Sequence, residues 1–171
     1  MVKTALDRYT EVLVDALNDC GAKLRKSFQT AFIQAMLLYM VIPNKINFTQ
    51  MGRYGESCEQ RFRQLFSRQF DWMSFNLSLM RRMFPAGGRK AIAIDASYIS
   101  KAGNRTPYIG KFWSGCAQAS KRGLEILGVG VIDVDLHDCM MLRAIQTPGA
   151  EKMRSLGDGY GLAEWYLDSL E

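Results

Sequence analysis

The segment "AIAIDASYIS", residues 91–100, sets one carboxylate, Asp95, in an apolar run of strand length. Successive side chains on a strand alternate faces, so Asp95 and Ser97 point one way and Ile94 and Ala96 the other. Burying a carboxylate is costly unless it is paired or metal-bound. Two kinds of chemistry suit such a residue. It can cap the strand end by accepting backbone N–H bonds. It can also offer oxygen to a hard divalent cation, as in phosphoryl-transfer sites where acidic side chains hold two ions about 3.5–4 Å apart.

Other reactive groups add little. The only histidine, His137, falls in the polar turn "DLHD" and is expected to be an exposed turn residue. Cys20, Cys58, Cys116 and Cys139 are scattered with no CxxC pair. That argues against a Cys/His zinc site and against a disulfide framework, and fits a reducing cytoplasm. No Ser/His/Asp or Cys/His constellation is visible. "GAEKMRSLGDGYG", residues 149–161, lacks the phosphate-cradling spacing GxxxxGK[ST] and reads as a flexible loop.

The elements that must position Asp95 change character along the 171 residues. The first half reads helical. Tyr9, Val12, Leu13, Ala16 and Leu17 recur at helical spacing, and Phe28–Val41 form a second, more buried helix ended by Pro43. That stretch is shorter than the ~20 apolar residues of a membrane span and carries Gln29 and Gln34, so a core helix is expected. The N-terminus bears Lys3, Asp7 and Arg8 before any long apolar run, unlike a signal peptide. "GRYGES" reads as a turn, with Gly52 and Gly55 able to take positive φ. Ser57 and Gln60 match a capping box that would start the next helix, with Phe62, Leu65, Phe66 and Phe70 on one face and Arg61, Gln64 and Arg68 on the other.

"PAGGRK", residues 85–90, is a plausible hinge, after which the periodicity turns strand-like. "KAIAIDAS", "GLEILGVGVIDVD" and "CMMLRAIQ" are strand candidates, the last two joined by a hairpin turn near Leu136 and His137. A long loop is expected between the first two. "GLAEWYLDSLE" reads as an amphipathic helix with Leu162, Trp165, Tyr166 and Leu170 on one side. Charge is also divided. Residues 1–89 hold 13 Lys and Arg against 7 Asp and Glu, and residues 90–171 hold 9 against 10. Such asymmetry points to a module that meets a polyanion joined to one that does something else.

The order strand, long loop, strand, hairpin, strand, helix is that of the first half of a ribonuclease H-like domain. The text "AIAIDASYISKAGNRTPYIGKFWSGCAQASKRGLEILGVGVIDVD" resembles the start of the catalytic domain of DDE transposases encoded by bacterial insertion sequences. The resemblance is strongest over about residues 90–148 and weaker over the helical part. It implies that Asp95 is the first acid of an Asp-Asp-Glu triad that binds Mg2+ or Mn2+. The second Asp and the Glu within a Tyr/Arg/Glu/Lys signature have no counterpart here, so the chain reads as a truncated fragment that by itself neither cuts nor joins DNA. Asp133 and Asp135 are poor substitutes. In an antiparallel pairing they end beside Lys90, five residues or roughly 16 Å from Asp95. Glu125 would lie closer. Asp158, Glu164, Asp168 and Glu171 read as solvated.

The expected architecture is therefore α+β. A helical, helix-turn-helix-like DNA-binding region spans 1–86, and an incomplete ribonuclease H-like α/β domain spans 87–171. A helix-turn-helix unit puts its second helix in the major groove. Arg61, Arg63, Gln64 and Arg68 have the chemistry to read bases or hold phosphates, and Arg53, Arg81 and Arg82 can add backbone contacts. "FWSGCAQASKRG" can track DNA near Asp95. A plain helical bundle with a solvated arginine face is the alternative for the first part. The expected partner is double-stranded DNA at transposon ends, with a homo-oligomer as a further possibility and no membrane. The rival to a transposase is a DNA-binding regulator or competitor derived from one, in which Asp95 is structural only. A poorly folded remnant, with Trp165 and Tyr166 on an exposed apolar face, is a third reading.

Overall fold

The computed structural model describes residues 3–21, 23–103 and 105–170. The chain is an α+β protein, with helices first and a small antiparallel sheet after them. It divides into two compact units between Phe84 and Pro85.

Five helices build the first unit: α1 (Ala5–Asp19), α2 (Lys26–Val41), α3 (Phe48–Tyr54), α4 (Glu59–Phe66) and α5 (Trp72–Met83). Thr4 and Asp7 form a reciprocal capping box at the start of α1, satisfying two N–H groups that the helix leaves open. Asn47 and Asp71 cap α3 and α5 through their side chains. α2 is the axis of the unit. Its buried Phe28, Ala31, Phe32, Ala35 and Leu38 recur at three- and four-residue steps. Phe28 and Phe32 join Leu13, Ala16, Leu17 and Phe75 in one core, while Ala35 and Leu38 join Ile42, Met51 and Phe62 in a second.

One local expectation for this unit fails, and one conformational freedom goes unused. The capping box at Ser57 does not form: α4 begins one residue later, with Cys58 at the cap and no side-chain cap bond. The Ser57 N–H instead donates to Gln34 Oε1 on α2 at 3.2 Å, so a tertiary contact takes the place of the local one. Gly52 and Gly55 do not adopt positive φ either. Gly52 lies within α3, and Gly55 is extended at φ −98°. Their reason is space. A Cβ on Gly52 would stand 2.8 Å from the Glu59 backbone nitrogen, and one on Gly55 2.7 Å from the Met51 carbonyl oxygen. Glycine lets α4 fold back tightly on α3 across a four-residue turn, residues 55–58. Phe62 is fully buried as expected, but Phe66 is 47% exposed.

The second unit holds β1 (Lys90–Ser100), β2 (Gly110–Ser114), β3 (Ala119–Asp133) and β4 (Asp138–Gln146), followed by α6 (Ala150–Arg154) and α7 (Leu162–Asp168). β3 is the spine. β1 runs antiparallel along one of its sides, and β2 and β4 pair with successive stretches of the other. β2 was hidden in what the sequence suggests is a long loop. In β3 the odd-numbered residues from Gly123 to Asp133 are buried and the even ones half-buried, the alternation of a strand with one covered face. Val134–His137 close the hairpin to β4, where His137 takes φ +55° and lies exposed, as expected.

Lys90 and Asp133 face each other in register at one end of the β1–β3 pair. Lys90 Nζ sits 2.9 Å from buried Asp133 Oδ2 and donates to the Pro85 and Gly87 carbonyls at 3.2 and 3.0 Å, using all three of its protons. The Lys90 ammonium, with the Leu136 and Asp135 N–H groups, holds the Asp133 carboxyl below its ordinary pKa. Arg89 pairs with Asp135 beside it.

Candidate functional site

Asp95 lies opposite Gly128 in the β1–β3 register. Paired residues share a face, so Asp95 shares its side of the sheet with Ala91, Ala93 and Ser97 on β1 and with Ile126, Gly128 and Gly130 on β3. Small neighbours leave the carboxylate standing clear of the sheet. Asp95 is exposed, and it makes no hydrogen bond or ion pair among the described residues. The apolar look of its strand misleads: Ile92, Ile94 and Ile99 are 59%, 42% and 46% exposed. β1 carries a strand on one side only, and no described element covers either of its faces fully.

The other acids do not gather round it. Asp133 is opposite Lys90, five register steps away, and is held by that ammonium. Glu125 pairs with Tyr98 and therefore belongs to the opposite face, where it is buried and accepts a 2.8 Å bond from the Tyr166 hydroxyl. Burial first, then the Glu125 bond and the charges of Glu125 and Asp95, push the Tyr166 phenol above its usual pKa. Glu164 Oε2 is engaged by the Gly161 N–H, and Asp168 by the Tyr160 hydroxyl, whose pKa rises to about 12 chiefly through that bond. Trp165 and Tyr166 are half-buried, so the exposed side of α7 is made by Leu162 and Leu167 instead. No group of three His, Cys, Asp or Glu able to hold a metal occurs among the described residues. A two-ion site needs several converging carboxylates. The residues present on the Asp95 face do not fit such a pair of Mg2+ or Mn2+ ions.

The arginines are arranged differently. Arg61, Gln64 and Arg68 border one small cleft together with Ser27 and Phe28 at the start of α2. Arg61 is half-buried and donates from Nη2 to the Ser27 carbonyl at 2.8 Å, which locks α4 against the first turn of α2. Gln64 and Arg68 are exposed, Arg68 just beyond the end of the helix rather than within it. Exposed Arg25 and Lys26 immediately precede Ser27 in the chain, two further cations next to this contact that the sequence reading overlooked. The run "AKLRKS" was the available signal.

The remaining candidates stand apart. Arg63 is paired with Glu59 at 2.5 Å and lies over the Phe48 ring at 4.9 Å, so its head is already engaged. The Arg63 pairing and a Thr49 bond hold the Glu59 carboxyl below its usual range. Arg82 on α5 pairs with Asp15 and Asp19 of α1. Arg53 and Arg81 are exposed at the last turns of α3 and α5.

No protein-family model, no curated protein and no solved structure matches this chain at a significant level. No helix is long and apolar enough to cross a membrane among the described residues.

Proposed function

We propose that this chain is a DNA-binding protein of the insertion-sequence transposase type, gripping duplex DNA through its helical unit. The observation that carries the reading is the convergence of Arg61, Gln64 and Arg68 where α4 meets the start of α2, with exposed Arg25 and Lys26 next to Ser27 in the chain. Uncompensated cations at one place create a potential of several kT that draws a polyanion. We read the tight α3–turn–α4 pair beside them as a helix-turn-helix, with α4 as the groove-entering helix. In that arrangement Gln64 faces base edges, Arg61 and Arg68 hold phosphates, and Arg25 and Lys26 extend the backbone contact. Arg53 and Arg81 serve as outlying phosphate contacts.

The likeness of the text around Asp95 to transposases supports the rest of the proposal, in which Asp95 is the first acid of a catalytic set. The described residues supply that face with one carboxylate only, so no step of strand cleavage or transfer is assigned to them. This same isolation favours a second reading, a regulator that occupies element ends without cutting them.

Fluorescence anisotropy of the full chain with a labelled duplex at low salt tests the binding. The wild type should bind, and an Arg61→Gln/Arg68→Gln variant should bind more weakly, with a salt slope shallower by about 1.8 for two lost phosphate contacts. Absence of wild-type binding, or an unaltered slope in the variant, would remove the proposal.

A further inference from the structure

The sheet unit contains a second cationic feature that the duplex-binding face does not use. A cleft of about 520 Å3 opens between the loop before β2 and α6. Lys111 of β2 and Lys152 and Arg154 of α6 border it, all exposed, together with Thr106 and Tyr108. No carboxylate belongs to its described lining. Three cations around one concavity repel one another in the absence of an anion, which is a cost that a bound phosphate would remove.

The walls are built rather than accidental. The Gln146 side chain donates from Nε2 to the Pro107 carbonyl at 2.7 Å, fastening the loop to the end of β4. The two sides lie close together: a Cβ on Gly110 would stand at van der Waals distance, 3.6 Å, from the Gly149 Cα, and one on Gly149 3.6 Å from the Ile109 carbonyl oxygen. Tyr108 is held at φ +57°, a conformation uncommon for a bulky residue. Non-glycine residues in that region persist when the surroundings over-determine them, and they cluster at ligand sites. Here the ring is 49% exposed on the cleft wall. Trp113, two residues from Lys111 and so on the same face of β2, is 61% exposed.

An aromatic face beside a group of cations suits a nucleotide unit, with its base stacked and its phosphate paired. We propose that the β2–α6 cleft binds a single-stranded segment of nucleic acid, with phosphates at Lys111, Lys152 and Arg154 and a base against Tyr108. The inference rests on the reading of the chain as a DNA-binding protein and adds a strand-binding site to it. A duplex melted or frayed near the bound end would provide such a strand.

The test uses the full chain, a fluorescent oligothymidylate and a labelled duplex, each titrated at several salt concentrations. Three proteins are compared: the wild type, Lys111→Gln/Lys152→Gln/Arg154→Gln, and Tyr108→Asn, chosen because Asn tolerates positive φ. All the changes are at exposed positions, and thermal melting checks that the fold is kept. The triple variant should lose oligothymidylate affinity with a salt slope shallower by about 2, the value for three single-strand phosphates. Tyr108→Asn should weaken that binding by about fivefold or more with the slope unchanged. Wild-type affinity and slope in the triple variant would overturn the proposal, as would no wild-type binding of oligothymidylate. Duplex binding without oligothymidylate binding would sink the cleft and spare the helical face. Oligothymidylate binding that depends on the cleft, without any duplex binding, would do the reverse.

Discussion

Asp95 illustrates how little a residue's type fixes its role. Its carboxylate stands on an exposed face floored by alanine and glycine, and no described residue bonds it. Substitution there removes no packing and orphans no partner. Asp95→Asn is expected to change stability by less than about 0.5 kcal/mol, as at other unencumbered surface positions, and to leave duplex affinity intact. Thermal melting and anisotropy check both; a large loss of affinity would place Asp95 in the DNA contact. Asp133 behaves in the opposite way. Its folded-state pKa is depressed, chiefly by Lys90, so its contribution is complete above the unfolded carboxylate value and fades as pH falls through the lower folded value. The window is thus below about pH 4. Asp133→Asn should lower the stability of the sheet unit at neutral pH and flatten its loss in acid, read by circular dichroism melts along a pH series. An acid profile identical to wild type would show that the Lys90 pairing is not coupled to folding.

At the scale of elements, the sequence was informative where a pattern is continuous and misleading where a neighbour intervenes. β1, β3 and β4 announce themselves by runs of small and branched apolar residues, and the antiparallel pairing of β1 with β3 sets Lys90 opposite Asp133, away from Asp95. β2 does not, because "GKFWS" has only five residues and lies between polar loops. The start of α4 was misplaced because the Ser57 N–H is claimed by Gln34, twenty-three residues away. The arginine cleft is half visible: Arg61, Gln64 and Arg68 share a helical spacing, but their border with Ser27 and Phe28 of α2 is set by the tertiary Arg61–Ser27 contact. Phe62 is the pin of this arrangement, fully buried between α2, α3 and α4. Phe62→Ala should cost about 3–5 kcal/mol, the range for a buried aromatic, and abolish duplex binding by releasing α4. Urea unfolding measures the first, and a loss below 1 kcal/mol would mean that α4 is held by other contacts. Gly55→Ala should also destabilise, since its Cβ meets the Met51 carbonyl and the Leu38 and Phe62 side chains.

On the scale of the whole molecule, positive charge belongs to the helical half and near-balance to the sheet half. A chain so divided fits a protein that holds a polyanion with one unit and presents something else with the other. The sheet unit presents the exposed Asp95 face and the β2–α6 cleft. The helical unit offers the cations of α2 and α4. DNA binding by this unit requires that those cations meet phosphate. The most direct measurement is the affinity of the wild-type chain for duplex DNA as a function of salt. Four phosphate contacts, by Arg25, Lys26, Arg61 and Arg68, predict a linear fall of log K against log salt with a slope of about −3.6, steeper by about 0.9 for each of the outlying Arg53 and Arg81 that also holds a phosphate. A flat dependence, or no binding at the lowest salt, would contradict it.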